Sequence, residues 1–245
     1  MLALSASGCL GYLHPVKPAP DYSCPPPLPH TCQQHVHIFF VTGLDPLDYA
    51  NLNGVAEYLH SLGYNSTYVG QMFHADAFEA EIRRLSQEDP NAHFVLIGFS
   101  FGANIVRNIA NNLMHSDNIP IDLLVYLGGN TLEDVPETQP ENVGKVINVL
   151  GVGWIWHGSC LPGAENLNIE DRFHFGTPTH GSTLNALACE LTEIAARVPF
   201  CELITPPPDE QLPVTPRPVK PPPAAAAPDE WDFLKPAKHL QPLDR

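Results

Sequence analysis

His93-Phe94-Val95-Leu96-Ile97-Gly98-Phe99-Ser100-Phe101-Gly102-Ala103 decides how this chain is read. His93–Ile97 is an apolar, β-prone run, and Phe101–Met114 has helical character. Between them, Gly98-Phe99-Ser100-Phe101-Gly102 is a G-x-S-x-G pattern in a strand–turn–helix setting. The serine of such a turn sits in a strained conformation. Side chains at 98 and 102 would crowd the neighbouring strand and helix. Ser100 is therefore the expected nucleophile. A nucleophilic serine also needs N–H donors for the oxyanion that its attack creates. One is expected from the backbone of Phe101, where the beginning helix adds a favourable dipole. The other is expected from the loop after the first core strand, Thr42-Gly43-Leu44-Asp45, at the N–H of Leu44. The plainer reading of Gly43 is that it permits a tight turn.

Working outward, strands and helices alternate. His35–Val41 is an unbroken β-prone run ending at Thr42-Gly43, as suits a strand buried on both faces. Residues 51–62 place Leu52, Val55, Ala56, Leu59 and Leu62 at helical spacing, with Gly63 positioned to end the helix. Ser66–Val69 reads as a strand, Ala75–Gln87 as a helix, Ile121–Leu127 and Lys145–Leu150 as strands. Leu167–Ile169 is a last short strand and Ser182–Arg197 a last helix. The expected fold class is α/β: a doubly wound, mostly parallel six-stranded sheet with helices on both faces.

Composition sets the borders. The 245 residues include 27 prolines, crowded into 15–29 and 206–228. This divides the chain into a signal-like, Pro-rich leader (1–34), a folded domain (35–204) and a Pro-rich low-complexity tail (205–245). A net charge of −15 with 12 Lys and Arg argues against nucleic acid, which needs clustered cations. It also disfavours anionic membrane surfaces. No stretch is long and apolar enough for a transmembrane helix. Met1–Cys9 resembles the end of a bacterial lipoprotein signal without its basic start. That implies a lipid on Cys9 and a place in the cell envelope; the alternative is cytoplasmic. Cys24 with Cys32, and Cys189 with Cys201, are candidate disulfides in an exported protein; buried thiols are the other reading.

The base is expected late in the chain, at His174 or His180. Gly163-Ala164-Glu165-Asn166-Leu167-Asn168-Ile169, followed by Phe173-His174-Phe175-Gly176, resembles the last strand and histidine loop of small bacterial lipases and esterases of the α/β-hydrolase superfamily. Val41-Thr42-Gly43-Leu44 resembles their oxyanion loop, with Thr42 where the family has histidine. Leu127-Gly128-Gly129-Asn130 resembles their L-G-G-x segment. The resemblance spans roughly residues 36–197 and implies His174 as base. His180, just before a helix, is expected to cap or to face solvent. The acid departs from the family pattern. No Asp or Glu lies between Glu141 and Glu165, where Gly151-Val152-Gly153-Trp154-Ile155-Trp156 stands instead. Asp134, on the loop after the preceding strand and beside Glu133, is the chosen acid; Asp171 is its rival, and Asn130 would orient the ring less well.

These residues imply a metal-free, cofactor-free serine hydrolase, expected to be monomeric. It would cleave small acyl esters through an acyl-enzyme, and lipase, esterase and thioesterase are not separable. Phe99, Phe101, Trp154 and Trp156 suggest an apolar acyl site. The alternative, motivated by the acid, is an envelope-tethered, non-catalytic binding protein on the same fold. The 12 histidines, among them His35, His37 and His157, match no zinc spacing.

Overall fold

All seven residues of Val36–Thr42 (β1) are buried, as an apolar run without alternation requires of a strand covered on both sides. The computed structural model describes residues 13–18, 28–128, 138–153 and 158–199. The other strands are β2 (Thr67–Gln71), β3 (His93–Phe99), β4 (Ile121–Leu127), β5 (Val143–Leu150) and β6 (Glu165–Asn168). The helices are α1 (His30–Gln33), α2 (Leu52–Ser61), α3 (Ala75–Glu88), α4 (Gly102–Asp117) and α5 (Gly181–Ala195). The six strands form one sheet in the order β2-β1-β3-β4-β5-β6, and every neighbouring pair is parallel. The fold is thus α/β and doubly wound.

The sheet separates two cores. Leu52, Val55 and Leu59 of α2 and Leu184, Leu187 and Leu191 of α5 cover one face. Phe78 and Ile82 of α3 and Val106, Ile109 and Leu113 of α4 cover the other. The chain winds outward from β1 to β2, then returns across β1 to β3. Strand order therefore reverses between β1 and β3, and the helices that follow those two strands, α2 and α4, lie on opposite faces of the sheet. In open α/β sheets the crevice at the carboxyl ends beside such a reversal is where ligands bind.

Helix ends follow local chemistry. Asn51, at φ 57°, caps α2 by accepting from the Gly54 N–H. Gly63, at φ 104°, ends it. α4 runs past Met114 because the chain closes only at Asn118, in the left-handed region at φ 51°. β6 pairs from Glu165 rather than from Leu167, in register with β5 from Ile147.

Two stretches of the expected leader pack on the body. Leu28 and Cys32 are buried, and Val16 lies against the same core. The Asn51 amide donates to the His14 carbonyl at 2.9 Å. Cys32 and Cys189 are disulfide-bonded; their expected partners, Cys24 and Cys201, lie outside the described residues, as does Cys9. Cys160 is a free, exposed thiol. The chain divides into units Met1–Thr205 and Pro206–Arg245, the second wholly outside the described residues. Among the described residues, no helix is long and apolar enough to cross a membrane.

Candidate active site

Ser100 stands at the switch point with φ 54°, a left-handed conformation that costs a non-glycine residue about 1–3 kcal/mol. The surroundings hold it there. Its N–H donates to the Leu127 carbonyl at 2.9 Å, carrying the β3–β4 ladder one residue past the strand. Its own carbonyl accepts from the Ala103 N–H at 3.0 Å, and that of Phe101 from the Asn104 N–H at 3.1 Å, so α4 starts at once. The flanking glycines are steric necessities. A Cβ on Gly98 would lie 2.4 Å from the Gly102 carbonyl oxygen and 2.6 Å from Val106 Cγ2. One on Gly102 would lie 2.2 Å from the Val41 carbonyl oxygen.

The loop after β1 touches this turn. A Cβ on Gly43 would lie 2.7 Å from the Phe99 carbonyl oxygen, 2.8 Å from Phe101 N and 3.0 Å from Ser100 Cβ. The N–H groups of Leu44 and Phe101 have no acceptor among the described residues. Two donors thus stand open beside Ser100, as an oxyanion site requires. Asp45, buried, fixes the loop by accepting from the Tyr49 and Ala50 N–H groups at 2.8 Å each. Asp48, at φ 51°, accepts from the Leu52 N–H at 2.7 Å and joins the loop to α2. Burial pushes the Asp48 carboxyl above its ordinary pKa, against hydrogen bonds from Asn53 and the Leu52 N–H.

His174 is 4% exposed and opens a short 3-10 turn, His174–Gly176. Its ring lies 4.9 Å from that of Phe99 and 5.2 Å, edge-on, from that of Phe175. A Cβ on Gly128 would lie 2.7 Å from both His174 Nδ1 and Cε1, so the ring's Nδ1 edge rests on the Gly128 backbone. Gly128, at φ 76°, follows the Leu127 carbonyl that receives the Ser100 N–H. Ser100 and His174 therefore converge on Leu127-Gly128. A bond between nucleophile and base commonly tightens only with substrate in place. The Thr177 hydroxyl donates to the His174 carbonyl at 2.8 Å, and that of Thr183 to the Thr177 carbonyl at 2.7 Å; this ties the turn to α5.

Asp134, Glu133, Asn130, His157, Trp154 and Trp156 lie outside the described residues. The exposed Asp171 carboxylate pairs with Arg172 Nη1 at 2.9 Å and His180 Nε2 at 3.3 Å. His180 caps α5, accepting from the Ser182 N–H at 3.2 Å. Phe99 is fully buried and underlies His174 instead of lining open space. His35 pairs with Asp89 at 2.6 Å, and among the described residues no three His, Cys, Asp or Glu side chains gather as a metal site. Three supporting residues differ in how far the sequence announces them. Asp45 has a faint signal, an Asp before Pro at a turn. Thr177 and Thr183 have none.

No family model matches this chain, and no curated protein does. Among solved structures it is similar to a candidate hydrolase of the alpha/beta superfamily from Xanthomonas campestris pv. campestris. The two are 16% identical, the match covers 64% of this chain and 96% of that one, and the TM-score is 0.37.

Proposed function

We propose that the chain is a serine hydrolase of carboxylic esters, working through an acyl-enzyme. The observation that carries this is Ser100 at φ 54°, in a strand–turn–helix whose flanks admit only glycine, with the N–H groups of Leu44 and Phe101, unpaired among the described residues, beside it. Backbone strain held by so many contacts argues for a site that needs it.

In this reading Ser100 Oγ attacks the acyl carbon as His174 takes its proton. The carbonyl oxygen becomes an oxyanion held by the N–H groups of Phe101 and Leu44. His174 returns the proton to the departing alcohol, and water, deprotonated in turn by His174, frees the acid and regenerates Ser100. Asp134 is the proposed acid, orienting the ring and stabilising imidazolium. The position of His174 Nδ1 against Gly128 supports it, because Asp134 follows Gly128 by six residues in the sequence. The resemblance of Gly163–Gly176 to small bacterial lipases and esterases supports the same class. The disulfide-bonded Cys32 and Cys189 favour an oxidising compartment, consistent with export and a lipid on Cys9.

A fluorophosphonate probe tests the reading. Wild type should label and Ser100→Ala should not. A well-folded wild type that stays unlabelled would sink the hydrolase and leave a non-catalytic binding protein on the same fold.

A further inference from the structure

A cavity of about 470 Å³ opens beside the His174 turn, and its wall is basic. The chain carries 12 Lys and Arg against 27 Asp and Glu. Two of the twelve, Lys17 and Arg172, nevertheless line this one cavity, together with His14 and His180. Gly181, where α5 begins, completes that side, so the positive end of a 15-residue helix faces the same space.

The cluster is poorly neutralised. Asp171 pairs with Arg172 and His180, but at 60% exposure solvent screens it strongly. Among the described residues Lys17 has no ion-pair partner. His14 Nε2 is buried without a hydrogen-bond partner among the described residues. Burial first, and then the nearby Arg172 charge, hold the His14 pKa below its ordinary value, against Asp45. Gathering like charges costs free energy that an anion seated among them would return.

We propose that this cavity binds the oxyanion group of a small ligand, a carboxylate or a phosphate, held by Lys17, Arg172 and His14. The cavity adjoins the site already described. The ring of His14 lies 4.9 Å from Tyr49, Tyr49 5.1 Å from Phe175, and Phe175 5.2 Å from His174. The anion is either the charged end of an ester substrate or a separate small ion. Only the first alternative rests on the hydrolase reading.

Calorimetric titration of the full chain with inorganic phosphate and with succinate decides the matter. Wild type should bind at least one of them. A Lys17→Ala/Arg172→Gln double variant should bind about tenfold more weakly or worse, since each lost contact is charge-assisted. Lys145→Ala, which removes a lysine paired with Glu165 and Glu190, should bind as wild type. Both altered side chains are exposed, so the fold should survive, and a matching circular dichroism spectrum verifies it. No binding of either anion, or binding that survives the double variant, overturns the proposal. Two 4-nitrophenyl esters then separate the sources. A kcat/KM ratio favouring the hydrogen succinate ester over the butyrate, lost in the double variant, assigns the anion to the substrate. Equal turnover of both esters, with anion binding intact, assigns it to a separate ligand. If neither ester turns over, the hydrolase reading fails while the titrations still decide the site.

Discussion

Gly43 shows how much can depend on the absence of one carbon. Its missing Cβ leaves room for three atoms of the neighbouring turn, two of them main-chain atoms that cannot swing aside. In the proposed ester hydrolase, Gly43→Ala should displace the Leu44 and Phe101 N–H groups from the reacting oxygen. Removing one such donor costs about 10²–10³ in kcat, and a loss of that order with a much smaller change in KM is expected in steady-state ester hydrolysis. Asp45 serves the same loop differently. Its carboxylate satisfies two backbone N–H groups from a buried position, so Asp45→Ala strands both donors. A loss of about 2–6 kcal/mol in urea unfolding should follow, at about 1–3 kcal/mol for each of the two orphaned groups. Asn, which keeps one acceptor oxygen, should recover part of it.

Among the elements, β6 is the most exposed of the strands, and a side-chain clasp holds it. Asn166 donates to the Leu161 and Ala164 carbonyls at 3.1 Å each, and its amide oxygen accepts from the Leu161 N–H at 2.9 Å. The same oxygen accepts from Asn148 of β5 at 2.8 Å. Asn166→Ala should cost about 1–3 kcal/mol, since it leaves buried partners unpaired. Amide exchange should quicken in residues 158–169 while β1 and β3 stay protected. Legibility differs among elements for physical reasons. β4 can be bounded to the residue because Pro120 and Gly128 punctuate a continuous apolar run. β6 cannot, because its pairing depends on an asparagine clasp instead of a run of buried side chains. The nucleophile turn is legible because glycine, serine and glycine at fixed offsets answer to sterics within five residues. The place of His174 is legible only through resemblance. What sets its ring against Gly128 is contact between chain segments far apart in sequence, which no local spacing records.

At the scale of the whole molecule, acid titrates the fold in two windows. His37 is buried on β1, stacked 5.8 Å from Phe94, and among the described residues neither ring nitrogen has a partner. Burial lowers its pKa from the ordinary 6.5, with smaller effects from Asp89, His35, Glu81 and Arg84. The unfolded chain therefore binds the extra proton first, and stability falls as pH drops below about 6.5. His14 is shifted in the same direction and adds to this window. Asp89 belongs to the second. Burial alone would raise its carboxyl, but hydrogen bonds from His35 and the Asn91 N–H bring it below the ordinary 3.8. Its contribution is whole above that value and is lost as pH falls through the folded pKa. His37→Leu should flatten the first decline in a pH series of denaturant melts and leave the second intact. A variant that declines as steeply as wild type between neutrality and pH 5 would remove His37 from the account.

The borders of the sheet have a consequence for life at high concentration. The two outermost strands, β2 and β6, are the shortest, at five and four residues. An open strand border is a template on which a foreign chain can lay down further strands, and brevity is one of the means by which proteins blunt that template. Here any added strand would find a four- or five-residue ladder, on a chain whose net charge of −15 repels its own copies. The crowding that drives many sheet proteins into fibrils should find little purchase on this one.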